Sequence, residues 1–412
     1  MQCVAQFNAL AMAQQVRKLC TGFFVVISIC VASLNLHAQE VKFYDVGHYP
    51  DGTWAELWGV NRAGTLVGMG DVASGYTHPI GVPLFGWWAG QWFDLGTLGG
   101  ERADYVMCMD IADTGMIVGH TAIAGDEIIH GFVWTPQTKM VDLGTLADIG
   151  YSGYNFSLAY GTNKSGTLIV GWSSTGIDEN ALIGPAVQSY PVVWTPTVTW
   201  NSGRWKTTWQ IHKLDIRGFD RLGYWAAMYP NDHGQIVGVA QRANGTLVGF
   251  LWNPVAGGGN WEIEKLPAAH GYNTVWPQNI NNKGEIVGDV MIIDPATGNW
   301  NAELPAYWKP IDRSATNFSV TILPSLGGYL SGVGDGEGIN DLGDIIGGST
   351  DADGNYYATA WNTRNLKAAP RLLPSPSNSG GWSWANKLNN YGIVVGAYGA
   401  DEWEHAAAWK LY

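Results

Sequence analysis

Cysteine is scarce in this 412-residue chain, and its placement matters more than its number. Three of the four copies, Cys3, Cys20 and Cys30, lie near the start, leaving Cys108 alone in the rest of the chain. That excludes a disulfide framework and any cysteine-based zinc site. Positive charge is short as well: 22 Lys and Arg stand against 35 Asp and Glu, a net charge of −13. This balance argues against a nucleic-acid partner and offers no basic patch for a membrane surface. The apolar pattern lacks the 3.6-residue period of helices, which excludes a helical solenoid. No P-loop, HExxH or GxSxG is present, so nucleotide, zinc-peptidase and serine-hydrolase chemistry lack their sequence signatures.

Long apolar runs are limited to one. Arg17 and Lys18 precede "LCTGFFVVISICVASLNL", which ends in "HAQE" with a small Ala38 before a cleavage point. The pattern predicts a signal peptide over 1–38 and a mature chain, 39–412, that is secreted or periplasmic and has no membrane span once the signal is cleaved. An uncleaved anchor is the rival reading of the same run. Translation from Met12 would shorten the leader to an ordinary length, and the lack of a small residue before Cys30 argues against a lipoprotein.

Glycine and tryptophan are plentiful, with 55 and 22 copies. The glycines show why. "NRAGTLVG" from Asn61 has relatives at Ala112, Asn163, Asn231, Asn281, Asn340 and Asn389, and their first glycines, Gly64, Gly115, Gly166, Gly234, Gly284, Gly343 and Gly392, step by 51, 51, 68, 50, 59 and 49 residues. A repeat of this length, with each unit burying its apolar face against its neighbours, overrides a domain count based on length.

Each period has one order: an apolar stretch ending at Asn, an Asn-x-x-Gly turn, a short "IVG" strand, a variable loop and a segment such as "GFVWTP" or "GFLWNP". A fourth strand follows, as in "WFDLG" at Trp92 and "MVDLG" at Met140. Four antiparallel strands per period predict an all-β, seven-bladed β-propeller. The last unit stops at "AAAWKLY", its third strand, while "VKFYDVGHYP" from Val41 has no blade of its own. The N-terminal strand is therefore expected to close the ring. In the recurrent turn, Gly supplies a positive φ and Asn bonds its own turn, a structural role.

The sequence resembles the extracellular HAF repeats, named for a His-Ala-Phe triplet ahead of the third-strand Trp, through "HGFVW" at His130, "YYATAW" at Tyr356 and "DLGTLGG" at Asp94. That resemblance implies a secreted propeller-like array and no common activity.

Seven tryptophans, Trp87, Trp134, Trp194, Trp252, Trp308, Trp361 and Trp409, are expected at one third-strand position, packing blade on blade. Others, including Trp54, Trp172, Trp225, Trp276, Trp300, Trp382 and Trp403, fall near loops of one face. Exposed indoles there would suit stacking on sugar rings, making a polysaccharide the expected partner of a monomeric chain. The alternative is that these loops fold over and bury their own tryptophans. Blade 3 is the longest unit, through "WSSTGIDENALIGPAVQSY" and the hairpin "TPTVTWNSGRWKTTWQIH". Function is expected on the face over blades 2 to 4.

His120, His130, Tyr190 and Arg217 are the catalytic candidates there; Trp172, Arg221, His270, Tyr272 and Trp276 are candidates for holding substrate. A polysaccharide lyase needs a cation to neutralise a uronate carboxylate, a base for the C5 proton and an acid for the leaving oxygen. The order His, His, Tyr, Arg across adjacent blades resembles the ulvan lyases, seven-bladed propellers that use such groups. The competing class is a non-catalytic binding or adhesion module, in which His130 is only the triplet histidine and Arg217 a surface side chain. A polyanion approaching this acidic chain would need a basic patch around Lys213, Arg217 and Arg221.

No cofactor is required, although structural calcium or zinc remains open. "DADGN" at Asp351 lacks EF-hand spacing and reads as a turn, and His120 with His130 lacks a third zinc ligand. Carboxylates in "DEN" at Asp178 and "DEWEH" at Asp401 could serve a glycosidase, but no pair stands out.

Overall fold

A computed structural model describes residues 40–412 other than 88, 102–105, 127, 152–154, 175–188, 202, 217, 220–224, 295, 298–299, 313–315, 329–330, 333–337, 377–381 and 401–402. The proposed signal, 1–38, lies outside the described residues. Lys42–Lys410 folds as seven four-stranded antiparallel sheets. Blade 3 shows the plan, from the innermost strand outwards: Ser157–Thr162, Ile169–Ser174, Ser189–Asn201 and Arg204–Lys213. Blade 7 consists of Ser383–Leu388, Ile393–Ala400 and Trp403–Lys410, with Lys42–Gly47 as its outermost strand. Phe43 pairs with Trp409, so the ring closes as the sequence predicts.

The Asn-x-x-Gly turn does two jobs. The glycines take φ between 67° and 87°, as expected of the turn. The Asn Oδ1 accepts the backbone N–H four residues on, at 2.9 Å for Thr65, 3.0 Å for Glu285 and 3.1 Å for Ile393. The second job was not visible in one turn alone. Nδ2 of Asn231, Asn281, Asn340 and Asn389 donates to the carbonyl of Asn281, Asn340, Asn389 and Asn61, the matching residue of the next blade. Buried backbone carbonyls are thereby satisfied around the axis.

Third-strand tryptophans stitch blades at larger radius. Trp194, Trp252, Trp308 and Trp409 are fully buried, and Trp134 and Trp361 nearly so. Indole N–H groups of Trp194, Trp252, Trp308, Trp361 and Trp409 donate to the carbonyls of Leu143, Asp215, Pro267, Pro324 and Pro374, each at the end of the preceding blade. Each ring thus combines apolar burial with a satisfied polar edge. Trp87 is the exception. It lies beyond the third strand of blade 1, Thr77–Pro83, and is 98% exposed; Val82, opposite Leu66, occupies the packing position.

Strand direction gives the ring two distinct faces. Connections from second to third strands and from blade to blade share the loop face. Asn-x-x-Gly turns and third-to-fourth-strand hairpins share the other, the turn face. The long hairpin of blade 3 therefore points away from the loop face, contrary to its expected place beside the second-to-third-strand loop. On the axis, near the turn face, a cavity of about 190 Å³ is lined by Asp110, Tyr229 and Lys387 among others. Asp110 and Lys387 form an ion pair at 3.5 Å, and the Lys387 ammonium sits 3.6 Å from the centre of the Tyr229 ring. Among the described residues, no helix is long and apolar enough to cross a membrane.

Candidate functional site

His130 lies on the third strand of blade 2, Ile129–Thr135, opposite Thr121. Its Nδ1 is 2.7 Å from Asp142 Oδ2 and its Nε2 is 2.9 Å from the Asn155 carbonyl. Burial works against protonation of this ring, but the Asp142 hydrogen bond and charge, with the Asn155 carbonyl, outweigh it and raise the pKa. The same pair recurs at register-equivalent positions in two other blades: His78 with Asp94 at 2.8 Å and His405 with Asp45 at 3.4 Å. In all three the aspartate also accepts the N–H of the glycine two residues on, Gly96, Gly144 or Gly47. That explains the repeated Asp-x-Gly: the glycine has positive φ, while the carboxylate ties the fourth strand's end to the third strand's beginning.

In blade 3 the histidine position is occupied by Tyr190 and the aspartate position by Lys213. Lys213 Nζ lies 3.3 Å from the Tyr190 ring centre and 5.9 Å from that of Tyr151. A cation and a phenol are thus held together at the loop face of the blade that carries the long insertions. His120 is on the second strand of blade 2, only 2% exposed, with its ring edge-on to Tyr160 at 6.3 Å. Burial pushes its imidazole down to about 4, opposed by a hydrogen bond with the Ala159 backbone, so the ring is neutral at pH 7. Its Nδ1 has no hydrogen-bond partner among the described residues. Arg217 and Arg221 lie outside the described residues.

The tryptophans proposed for sugar stacking divide. Trp172 and Trp225 are strand residues buried to 6% and 1% exposure, the outcome expected if aromatic rings near the loops pack inwards. Trp172 Nε1 donates to the Tyr160 hydroxyl at 3.0 Å, and partly buried Trp276 joins the same cluster with Met228 and Phe156. Tyr272 packs against the core between blades 4 and 5, while His270 is exposed beside it. At Asp351 the turn reading holds: its carboxylate accepts the N–H groups of Asp353 and Asn355 and the Asn355 amide.

A pair that the sequence did not single out sits where blade 7 meets blade 1. Glu56 is 7% exposed, and its Oε1 accepts the Trp384 indole at 2.7 Å and the Asn386 amide at 2.9 Å. Trp382 stacks on Trp384 at 4.7 Å with 15° between the planes. Glu404 is near enough to feel the Glu56 charge: burial first and that charge second push its carboxyl up to about 7. Glu404 belongs to "DEWEH", but its partner lies more than 340 residues away in the chain, so only closure of the ring brings them together.

A carboxyl with a folded-state pKa above its unfolded value stabilises the fold below the unfolded value, near 4.5 here, and that contribution is lost as pH rises through about 7. Glu404→Gln is therefore expected to raise the melting midpoint at about pH 8 and to change it little at about pH 5, where the parent keeps most of its proton. Thermal melts of both proteins at the two pH values check this; equal midpoints at the higher pH would remove the basis for the coupled pair.

No protein-family model and no curated protein matches the chain. Among solved structures, it is similar to polysaccharide lyase Uly1, at 8% identity and TM-score 0.41, with 91% of this chain and 90% of that one covered. Hadza microbial sialidase Hz136 follows at 12% identity and TM-score 0.43, covering 89% and 67%. Trypanosoma rangeli sialidase matches at 11% identity and TM-score 0.40, covering 73% of this chain, which spans 53% of that enzyme's length. These likenesses are too distant to carry an argument about chemistry, and the propeller stands on its own strand order.

Proposed function

We propose that this protein is an exported propeller that binds a uronic-acid-containing polysaccharide on its loop face and cleaves it by β-elimination at blades 2 and 3. The leader and the HAF-like triplets support export. The chemistry rests on one observation, the Lys213 ammonium held 3.3 Å over the Tyr190 ring. A cation there can neutralise the uronate carboxylate and so acidify the neighbouring C5 proton. A base removes that proton, its electron pair forms the C4–C5 double bond, and the departing glycosidic oxygen takes a proton from an acid. On this reading Tyr190 and His120 share the base and acid duties. His130, with both ring nitrogens engaged, positions the strand ends. On the sequence reading, Arg217 and Arg221 add to the same cationic patch.

The burial of His120 favours a second reading, a non-catalytic polysaccharide-binding module. Incubation with uronate polymers and neutral polymers, read by ultraviolet absorbance of the unsaturated uronate product, separates the two. Lys213→Met is expected to lower turnover about 10²–10³-fold with the fold intact, by analogy with loss of one oxyanion donor. Binding without product from any polymer would leave the module; neither binding nor product would sink both.

A further inference from the structure

The third-to-fourth-strand hairpin of blade 3 is longer than the sheet to which it belongs. Its third strand loses its inner neighbour after Trp194, which pairs with Ile169, the first residue of the second strand. From Thr195 opposite Gln210 to Asn201 opposite Arg204, seven further pairs form a two-stranded ribbon on the turn face, anchored at its base where Trp209 packs against the core of blades 2 and 3. Blade 4 adds only Asn253–Glu262 and Pro254–Trp261 beyond its equivalent Trp252–Ile263 pair. An isolated two-stranded ribbon is marginal in water, so its extension and side chains need a reason beyond the propeller.

Alternation sorts those side chains cleanly. Pro196, Val198, Trp200, Trp205, Thr207 and Trp209 occupy one face through the pairs 196–209, 198–207 and 200–205. Trp200 is 59% exposed, Trp205 70% and Val198 57%. The two indoles meet at 5.1 Å with 65° between their planes, giving an aromatic ledge open to solvent. The other face carries Thr195, Thr197, Thr199, Arg204, Lys206, Thr208 and Gln210. Residues 195–210 contain these two cations and no Asp or Glu, in a chain where acids outnumber bases 35 to 22. Exposed apolar area of this kind marks a binding surface, and the local charge selects its partner.

We infer that the blade 3 ribbon is a second polysaccharide-binding site, in which Trp200 and Trp205 stack on sugar rings of an anionic glycan while Arg204 and Lys206 supply the attracting field. The inference rests on the polysaccharide reading above and extends it to the opposite face of the ring. A pyranose presents an apolar face to an indole and turns its hydroxyls to Thr207 on the same face and to solvent. Arg204 and Lys206 leave from the ribbon's far side, so their contribution is long-range and falls with salt.

The test uses the full chain in three forms: parent, Trp200→Ser/Trp205→Ser, and Arg204→Gln/Lys206→Gln. Binding to polygalacturonate and to a neutral cellulose derivative is measured by affinity electrophoresis and calorimetry at two salt concentrations, with sedimentation of each form alone. Loss of stacking on two indoles is expected to weaken polygalacturonate binding at least about tenfold. The Arg204/Lys206 variant should lose most of its affinity at low salt and show a flatter salt dependence. Both variants should melt with the parent, since the exposed side chains support no core. Parent binding left unchanged by the tryptophan variant overturns the ribbon site and leaves the loop-face reading intact. A parent that binds no polymer at all defeats the loop-face reading and this inference together. Equal affinity for the neutral polymer overturns the anionic preference, and loss of a dimer with glycan binding unchanged makes the ribbon a self-association surface instead.

Discussion

Removal of residues 42–47 is expected to abolish cooperative folding, although the segment is a single outer strand. It supplies the fourth strand of blade 7, with Phe43 edge-on to Tyr398 at 5.4 Å and to Trp409 at 5.9 Å. It also carries Asp45, the partner of His405. Partial burial of an aromatic contributes about 1–3 kcal/mol, and each cross-strand pair about 0.2–1 kcal/mol. Against a total stability of about 5–15 kcal/mol, the loss is a large share. The third strand, Trp403–Lys410, would moreover become an unpaired edge able to recruit other chains. Circular dichroism melts and light scattering of the truncated chain check this, with a peptide spanning 40–49 added in trans as the control. A truncated chain that melts cooperatively near the parent midpoint would show that closure is not needed.

The second large effect lies on the axis. Asp110 is 5% and Lys387 13% exposed at the side chain, with their charged atoms 3.5 Å apart. Burial raises the Asp110 carboxyl although Lys387 and the N–H groups of Thr162 and Ile111 hold it down, so desolvation is only partly offset. Asp110→Ala breaks this buried ion pair and should cost about 3–5 kcal/mol. An apolar replacement of both, Asp110→Leu with Lys387→Met, should cost much less, because it removes the desolvation penalty along with the attraction. Denaturant titrations of the three proteins decide it: a single variant no less stable than the double would show that the pair is not the source.

The blade count and ring closure were legible because they rest on local, repeated chemistry. A turn needing positive φ at Gly64 needs it again at Gly115, and a fourth strand missing after Trp409 is visible at Val41. The expected place of Trp87 failed for an equally local reason: blade 1 ends its third strand at Pro83, and Val82 fills the slot alone. The site was less readable, since spacing along a strand does not say which neighbour a side chain meets. His130 is present in the sequence as a triplet histidine, but its equivalence to His78 and His405 needs the register with Asp142, Asp94 and Asp45. The Tyr190–Lys213 contact replaces that pair in blade 3 and is likewise a matter of register. Glu56 and Glu404 illustrate the extreme, belonging to blades that touch only because the ring is closed.

The closed ring of blades, five of them joined by the asparagine bonds from Asn231 through Asn281, Asn340 and Asn389 to Asn61, has a further consequence. In an open array of repeats each end unit has one neighbour, so unfolding begins by fraying there and moves inwards one interface at a time. A cycle has no end unit. Detaching any blade breaks two interfaces at once, and the first step of unfolding costs twice the nearest-neighbour coupling instead of once. Partly opened species are thereby depopulated relative to a linear stack with equally strong interfaces, and the ring behaves more nearly as all-or-none than its repetitive sequence would suggest.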